Sequence, residues 1–138
     1  MPKGIFHAVV LTDDLEEMIR FLTDVCRIGP VERYAPTTDQ LTAAFGWPEG
    51  TTADAALVGQ GPGLLDLIAI PSQLGATVTP GVVLLAVATP DLEGRVEAAR
   101  QAGFDPEPPR RGEGANGAMI TLAPVKVGGV GFEFAQFG

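Results

Sequence analysis

The chain has 138 residues, 46% of them hydrophobic, a formal net charge of −8 and a sequence pI near 4.4. That length allows one compact domain, or two small modules sharing a core. The acidic balance, with no basic stripe, argues against nucleic acid and anionic membranes as partners and favours a neutral or cationic ligand.

Residues 4–11 (GIFHAVVL) are apolar and β-branched and read as a buried strand. This apolar run is too short for a signal peptide or a membrane span, and the single cysteine, Cys26, rules out an internal disulfide. A cytoplasmic protein is expected. Thr12, Asp13 and Asp14 offer capping oxygens to a helix whose apolar positions are Leu15, Met18, Ile19, Leu22 and Val25. Gly29-Pro30 stops it, and Val31–Tyr34 forms a short strand.

Residues 35–52 carry turn chemistry in Ala35-Pro36-Thr37-Thr38 and Gly46-Trp47-Pro48-Glu49-Gly50. They predict a long loop or lid with a helical turn around Gln40–Phe45. Strands at Ala53–Val58 and Leu64–Ile70 are joined as a hairpin by Gly59-Gln60-Gly61-Pro62-Gly63, and Pro71–Pro80 is a linker.

Gly81–Ala88 is a second buried strand, and Thr89-Pro90-Asp91 caps a helix carrying Leu92, Val96 and Ala99 that stops at Gly103. Asp105–Arg110 reads as a proline-broken edge strand and 111–117 as a glycine-rich turn. Ala118–Ala123 and Val130–Phe137 complete the strands. Thr12, Asp14, Leu15 and Glu16 recur as Thr89, Asp91, Leu92 and Glu93 at one constant offset of 77 residues, which also relates Ile19 to Val96. Gly63-Leu64-Leu65-Asp66-Leu67 is echoed by Gly131-Phe132-Glu133-Phe134. Strand, capped helix and three strands, twice over, is an internal duplication: one βαβββ module in residues 1–72, a linker in 73–80 and a second module in 81–138.

Three stretches carry a family resemblance: the opening His7-Ala8-Val9-Val10-Leu11-Thr12-Asp13-Asp14-Leu15, the segment Arg27-Ile28-Gly29-Pro30, and the closing Gly131-Phe132-Glu133-Phe134. In their order and spacing the chain resembles the vicinal oxygen chelate superfamily of glyoxalases, bleomycin-resistance proteins and dioxygenases. The resemblance implies an α+β fold in which the two tandem βαβββ modules form a curved mixed sheet around a cleft, with helices on the outer face. It also implies a homodimer or an equivalent pairing of modules within one chain.

By position, His7, Asp66 and Glu133 match three of the family's four metal-ligand places, and Leu84 stands where a second His is usual. The implied cofactor is a divalent metal (Mn, Fe, Co, Ni or Zn), or none, given Leu84. The implied activity is a metal-dependent isomerase, epimerase or lyase that stabilises an enolate-type intermediate, with Glu133 as candidate catalytic base and Glu49 as a weaker one. The absence of a second His in the chain argues against ring-cleaving dioxygenase chemistry. The alternative is a metal-free protein that binds and sequesters a drug or natural product. Each residue also has a plainer role open to it. His7 fits a hydrogen-bonded core position, and Asp66 and Glu133 fit the outward positions of half-exposed strands. Trp47 and Phe45 either stack on a planar ligand or anchor the long loop, and Arg33 either meets an anionic substrate or is an edge-strand charge.

Overall fold

Each half of the chain opens with the same hydrogen-bonding chemistry. Thr12 Oγ1 accepts from the Asp14 amide at 3.1 Å, and Asp14 Oδ1 accepts from the Glu17 amide at 3.0 Å. Thr89 and Asp91 repeat this at 3.1 and 3.0 Å, with the amides of Asp91 and Gly94 as donors. Each aspartate satisfies a first-turn N–H that has no partner within its helix, and so fixes where the strand ends and the helix begins.

The computed structural model describes residues 5–113, 119–128 and 130–138. The first half contains β1 (His7–Thr12), α1 (Leu15–Arg20) running on into a π-helical turn (Phe21–Val25), β2 (Val31–Tyr34), α2 (Thr38–Phe45), β3 (Ala55–Val58) and β4 (Leu64–Ala69). A 3₁₀ turn at Ser72–Leu74 leads to β5 (Gly81–Ala88), α3 (Leu92–Gln101), β6 (Arg110–Glu113), β7 (Met119–Val127) and β8 (Val130–Phe137). No described helix is long and apolar enough to cross a membrane.

The eight strands form one mixed sheet in the order β2-β3-β4-β1-β5-β8-β7-β6. It is a curled half-barrel, as the resemblance implied. β1 runs parallel to β4 and β5 parallel to β8, while β1 and β5 meet antiparallel at the centre. The register carries the duplication in detail. Val9 pairs with Asp66 in the first half, and Ala86 with Glu133 in the second. Val9 and Ala86 stand at the offset that relates Thr12 to Thr89. At the central seam His7 pairs with Ala86 and Val9 with Leu84, and exchanging each residue for its equivalent in the other half reproduces the same two pairs. His7 and Leu84 are therefore matched positions on either side of a local two-fold axis.

Strand alternation sorts the side chains onto two faces. Val10, Ala56, Val58 and Leu67 meet Leu15, Ile19 and Leu22 of the first helix on the convex side, and Ala123 meets Leu92 and Val96 of α3 there. The concave side carries a third core of Val9, Leu11, Leu41, Trp47, Ala55, Ile68 and Leu84.

The segment expected as a loop is more ordered than its composition suggested. α2 runs for two turns, and it lies on the concave side rather than the outer face, with Gln40, Leu41, Ala44 and Phe45 toward the cleft. Thr37 and Gln40 form a reciprocal capping box at its start, and Gly46 closes it at φ 69°, where a Cβ would be strained. The edge strand also differs. Pro106, Pro108 and Pro109 cannot donate to a ladder, so β6 begins only at Arg110 and takes in residues 111–113 of the expected turn. The rest of that turn, with Gly4 and Ala118 at two expected strand starts, lies outside the described residues.

Candidate functional site

The concave face holds a cavity of about 280 Å³ between the sheet and α2. Its walls are mostly apolar or aromatic, including Phe6, Phe45, Leu57, Leu64, Ile68, Leu84 and Phe137, and its polar groups are His7, Glu32, Tyr34, Gln40, Asp66 and Glu133. A small, mainly apolar chamber with a few converging polar groups is the usual form of a ligand site.

Two lateral rows across the strands place the ionisable groups. In one, Glu133 of β8, Ala86 of β5, His7 of β1 and Leu64 of β4 lie side by side. Ala86, the residue between Glu133 and His7 in this row, is small and fully buried. The other row runs through Glu32, Leu57, Asp66, Val9 and Leu84. In a flat sheet Asp66 and Glu133 would stand about 16 Å apart, three strand spacings across and two residues along. The curl brings their side chains close enough for Asp66 to raise the Glu133 pKa.

Glu133 is only 6% exposed, and no described residue hydrogen-bonds or ion-pairs with its carboxyl. Desolvation, with the neighbouring charge of Asp66, pushes its pKa up to about 7. Desolvation likewise pushes Asp66 up to about 6, although the Tyr34 hydroxyl donates to Asp66 Oδ1 at 2.5 Å and partly holds it down. The same burial and the two carboxyls drive the Tyr34 hydroxyl far above its ordinary range, so Tyr34 stays protonated and acts as a fixed donor. Burial lowers the His7 pKa, which keeps the imidazole neutral at pH 7, and His7 Nδ1 has no hydrogen-bond partner among the described residues.

Of the residues singled out in the sequence, His7, Asp66, Glu133 and Phe45 border this cavity. Trp47 does not. It is 6% exposed in the concave core, its ring 4.8 Å from that of Phe45, and it borders instead a wider groove beyond Phe45 and Leu84. Arg33 faces away from the cavity, because its strand neighbours Glu32 and Tyr34 take the inward positions. Its guanidinium makes a two-pronged pair with Glu16 of α1 at 2.5 and 2.8 Å. Tyr34, Glu32, Phe6 and Phe137 also border the cavity, and the sequence did not single them out. Tyr34 is the only tyrosine in the chain and lies at the parity opposite to Arg33, a signal available in the sequence.

The donor set does not fit a shared divalent ion as it stands. Among the described residues no three His, Cys, Asp or Glu side chains are close enough together to hold one. Tyr34 already engages one Asp66 oxygen, and Leu84 presents an apolar wall at the fourth position. His7, Asp66 and Glu133 thus share a cavity without converging on one point within it.

The model of the Glyoxalase/Bleomycin resistance protein/Dioxygenase superfamily matches residues 4–132. The chain belongs to this superfamily. Among solved structures, this glyoxalase-superfamily chain is similar to a hypothetical protein from Bacillus halodurans C-125, with 13% identity, 96% of this chain and 93% of that chain covered, and a TM-score of 0.69. It is also similar to methylmalonyl-CoA epimerase from Mycobacterium tuberculosis (18% identity, 98% and 88% covered, TM-score 0.69). A third is a variant of Streptomyces coelicolor methylmalonyl-CoA epimerase in complex with 2-nitronate-propionyl-CoA (17% identity, 99% and 98% covered, TM-score 0.67). At these identities the likeness establishes a shared fold. No curated protein sequence matches this glyoxalase-superfamily chain significantly.

Proposed function

We propose that this protein is an enzyme of the isomerase or epimerase type, which moves a proton at a carbon beside a carbonyl group of a small, largely apolar substrate. The observation that carries the reading is the Glu133 carboxyl: buried, unpartnered among the described residues, titrating near neutrality and set one small residue away from a neutral imidazole. A base whose pKa lies near the working pH combines a useful ionised fraction with real proton affinity. Epimerase is also the activity named for two of the solved structures that share the fold.

In this scheme the Glu133 carboxylate takes the proton from the substrate carbon. The C–H electron pair moves toward the carbonyl, and the oxygen gains negative charge. Neutral His7 donates a ring N–H to that oxygen, a hydrogen bond that strengthens as charge develops and so favours the transition state over the bound substrate. Glu133 then returns the proton from the same side of the chamber, to the adjoining carbon for isomerisation, or to the same carbon after the enolate has turned over in the chamber for epimerisation. The Tyr34–Asp66 pair binds the remainder of the substrate. Closure of α2 over the cleft limits water, which raises the worth of each polar contact.

The reading can be tested across substrate classes at once. The protein is incubated in D₂O with hydroxyketones, 2-substituted thioesters and 2-oxo acids, and carbon-bound deuterium is followed by NMR. Exchange with at least one of these is expected, falling at least about 100-fold in Glu133→Gln, the scale of a lost general base. Tight binding with no exchange for any compound would refute proton transfer and leave sequestration as the better account.

A further inference from the structure

The cavity has a charge composition that its hydrophobicity hides. Three carboxyl groups border it, those of Glu32, Asp66 and Glu133, and no lysine or arginine is among the described residues lining it. Glu133 is nine-tenths buried, points into the chamber and has no partner among the described residues, so the protein builds part of a polar site and leaves it uncompensated. A buried carboxylate in that state is costly unless something arrives to neutralise it.

Aromatic rings accompany the carboxyls. Phe6, Tyr34, Phe45 and Phe137 all border the same space. Phe6 stands edge-on to Phe137 with ring centres 5.4 Å apart, and Phe45 comes from α2 across the cleft. Aromatic rings and carboxyl groups lining one chamber suit one kind of ligand group in particular, a compact alkylated ammonium. The cation is attracted by the quadrupole of each ring, while its methyl groups fill apolar space that a hydrated inorganic ion would not.

From this juxtaposition of aromatic faces, unpaired carboxyls and absent cations in a chamber of about 280 Å³, we propose that the ligand carries a tertiary or quaternary ammonium group, seated among Phe6, Tyr34, Phe45 and Phe137 with Asp66 as its counter-ion. This deepens the proton-transfer reading by naming a class of substrate, a small aminoketone or amino ester, but it rests on recognition alone. Tyr34 positions the Asp66 carboxylate through their 2.5 Å hydrogen bond, and Glu32, exposed at the cleft margin, adds to the negative potential met by an approaching cation. The net charge of −8 acts in the same direction over longer range.

The proposal is tested by calorimetric titration of the full chain with choline and, separately, with 3,3-dimethylbutan-1-ol, which has the same shape with carbon in place of the charged nitrogen. Choline should bind at least about 10-fold more tightly at low salt, the preference shrinking as salt is added. Asp66→Asn should remove most of that preference, with folding checked by circular dichroism. Phe45→Leu, in α2 and partly buried against the concave core, should weaken choline binding more than it weakens binding of the neutral alcohol, with folding checked in the same way. Equal binding of the two probes, or no heat from choline, trimethylamine or benzyltrimethylammonium at millimolar concentration, would overturn the proposal. Deuterium exchange on neutral carbonyl compounds would survive either result, so failure here is distinguishable from failure of the proton-transfer reading.

Discussion

Replacing Glu133 by glutamine should make the protein more stable at the pH where it makes it inactive. The glutamate pKa is raised from 4.5 to about 7 in the folded chain. Because the folded state holds this proton more tightly than the unfolded chain, raising the pH from about 4.5 toward 7 removes the proton from the unfolded chain first. Wild-type stability therefore falls through that interval. A carboxyl raised from 4.5 to about 7 corresponds to about 3 kcal/mol lost by pH 8, an upper bound because part of it belongs to the coupling with Asp66. Glutamine has nearly the same volume and stays neutral, so Glu133→Gln does not incur that cost. Urea unfolding of both proteins from pH 4 to pH 8 should show curves that coincide at the acid end and diverge upward in favour of the variant. At pH 8 the gap should correspond to about 10 °C in Tm for a chain of this size. Asp66 also titrates in this range, but it is present in both proteins and largely cancels in the difference. A pH-independent gap, or a variant less stable than wild type at pH 8, would refute the reasoning, since either means that the carboxylate has a partner that stabilises its charge.

Tyr34→Phe should push the Asp66 pKa above about 6, because the hydroxyl is what opposes desolvation there, and should cost about 1–2 kcal/mol at pH 8 through the unsatisfied carboxylate. Carboxyl carbon chemical shifts followed against pH read the direction directly. Asp14→Ala and Asp91→Ala should each cost about 1 kcal/mol, and nearly the same amount, since the two caps make the same bond at 3.0 Å. A large difference between them in denaturant unfolding would show that the repeat is geometric but not energetic.

The duplication was legible because it is written in residues with fixed local chemistry. A threonine with a capping aspartate two residues on marks the helix start in both halves, and the offset between them correctly anticipated that His7 and Leu84 are matched positions. The two modules followed from that repeat, and the curved sheet from the family resemblance. Less legible was anything decided by which way a short strand faces. Val31-Glu32-Arg33-Tyr34 alternates in a way that buries either Glu32 and Tyr34 or Val31 and Arg33, and four residues do not say which. The pairing of Arg33 with Glu16, seventeen residues earlier and on another element, settles it. α2 was read only as a helical turn around Gln40–Phe45 because of Pro36, Gly46 and Pro48 around it, although Thr37 and Gln40 at capping-box spacing mark the start of the full helix. The raised pKa values of Asp66 and Glu133 had no signature in the sequence, because they arise from the curl of the sheet and from burial under a helix that, among the described residues, only the first module contributes.

That one-sided helix sits on a two-fold seam, and the combination has a consequence for how such a site diverges. If two identical chains met along a β1–β5 seam of this kind, every change at the axis would occur twice, and a histidine could not face a leucine. Joining the halves in one polypeptide lifts that constraint. His7 and Leu84 are neighbours that have become different, as are Asp66, which is held by a tyrosine, and Glu133, which is held by nothing described. One scaffold thereby presents two carboxyl groups at matched positions with unlike surroundings, so that one can hold a ligand while the other moves a proton in the same chamber.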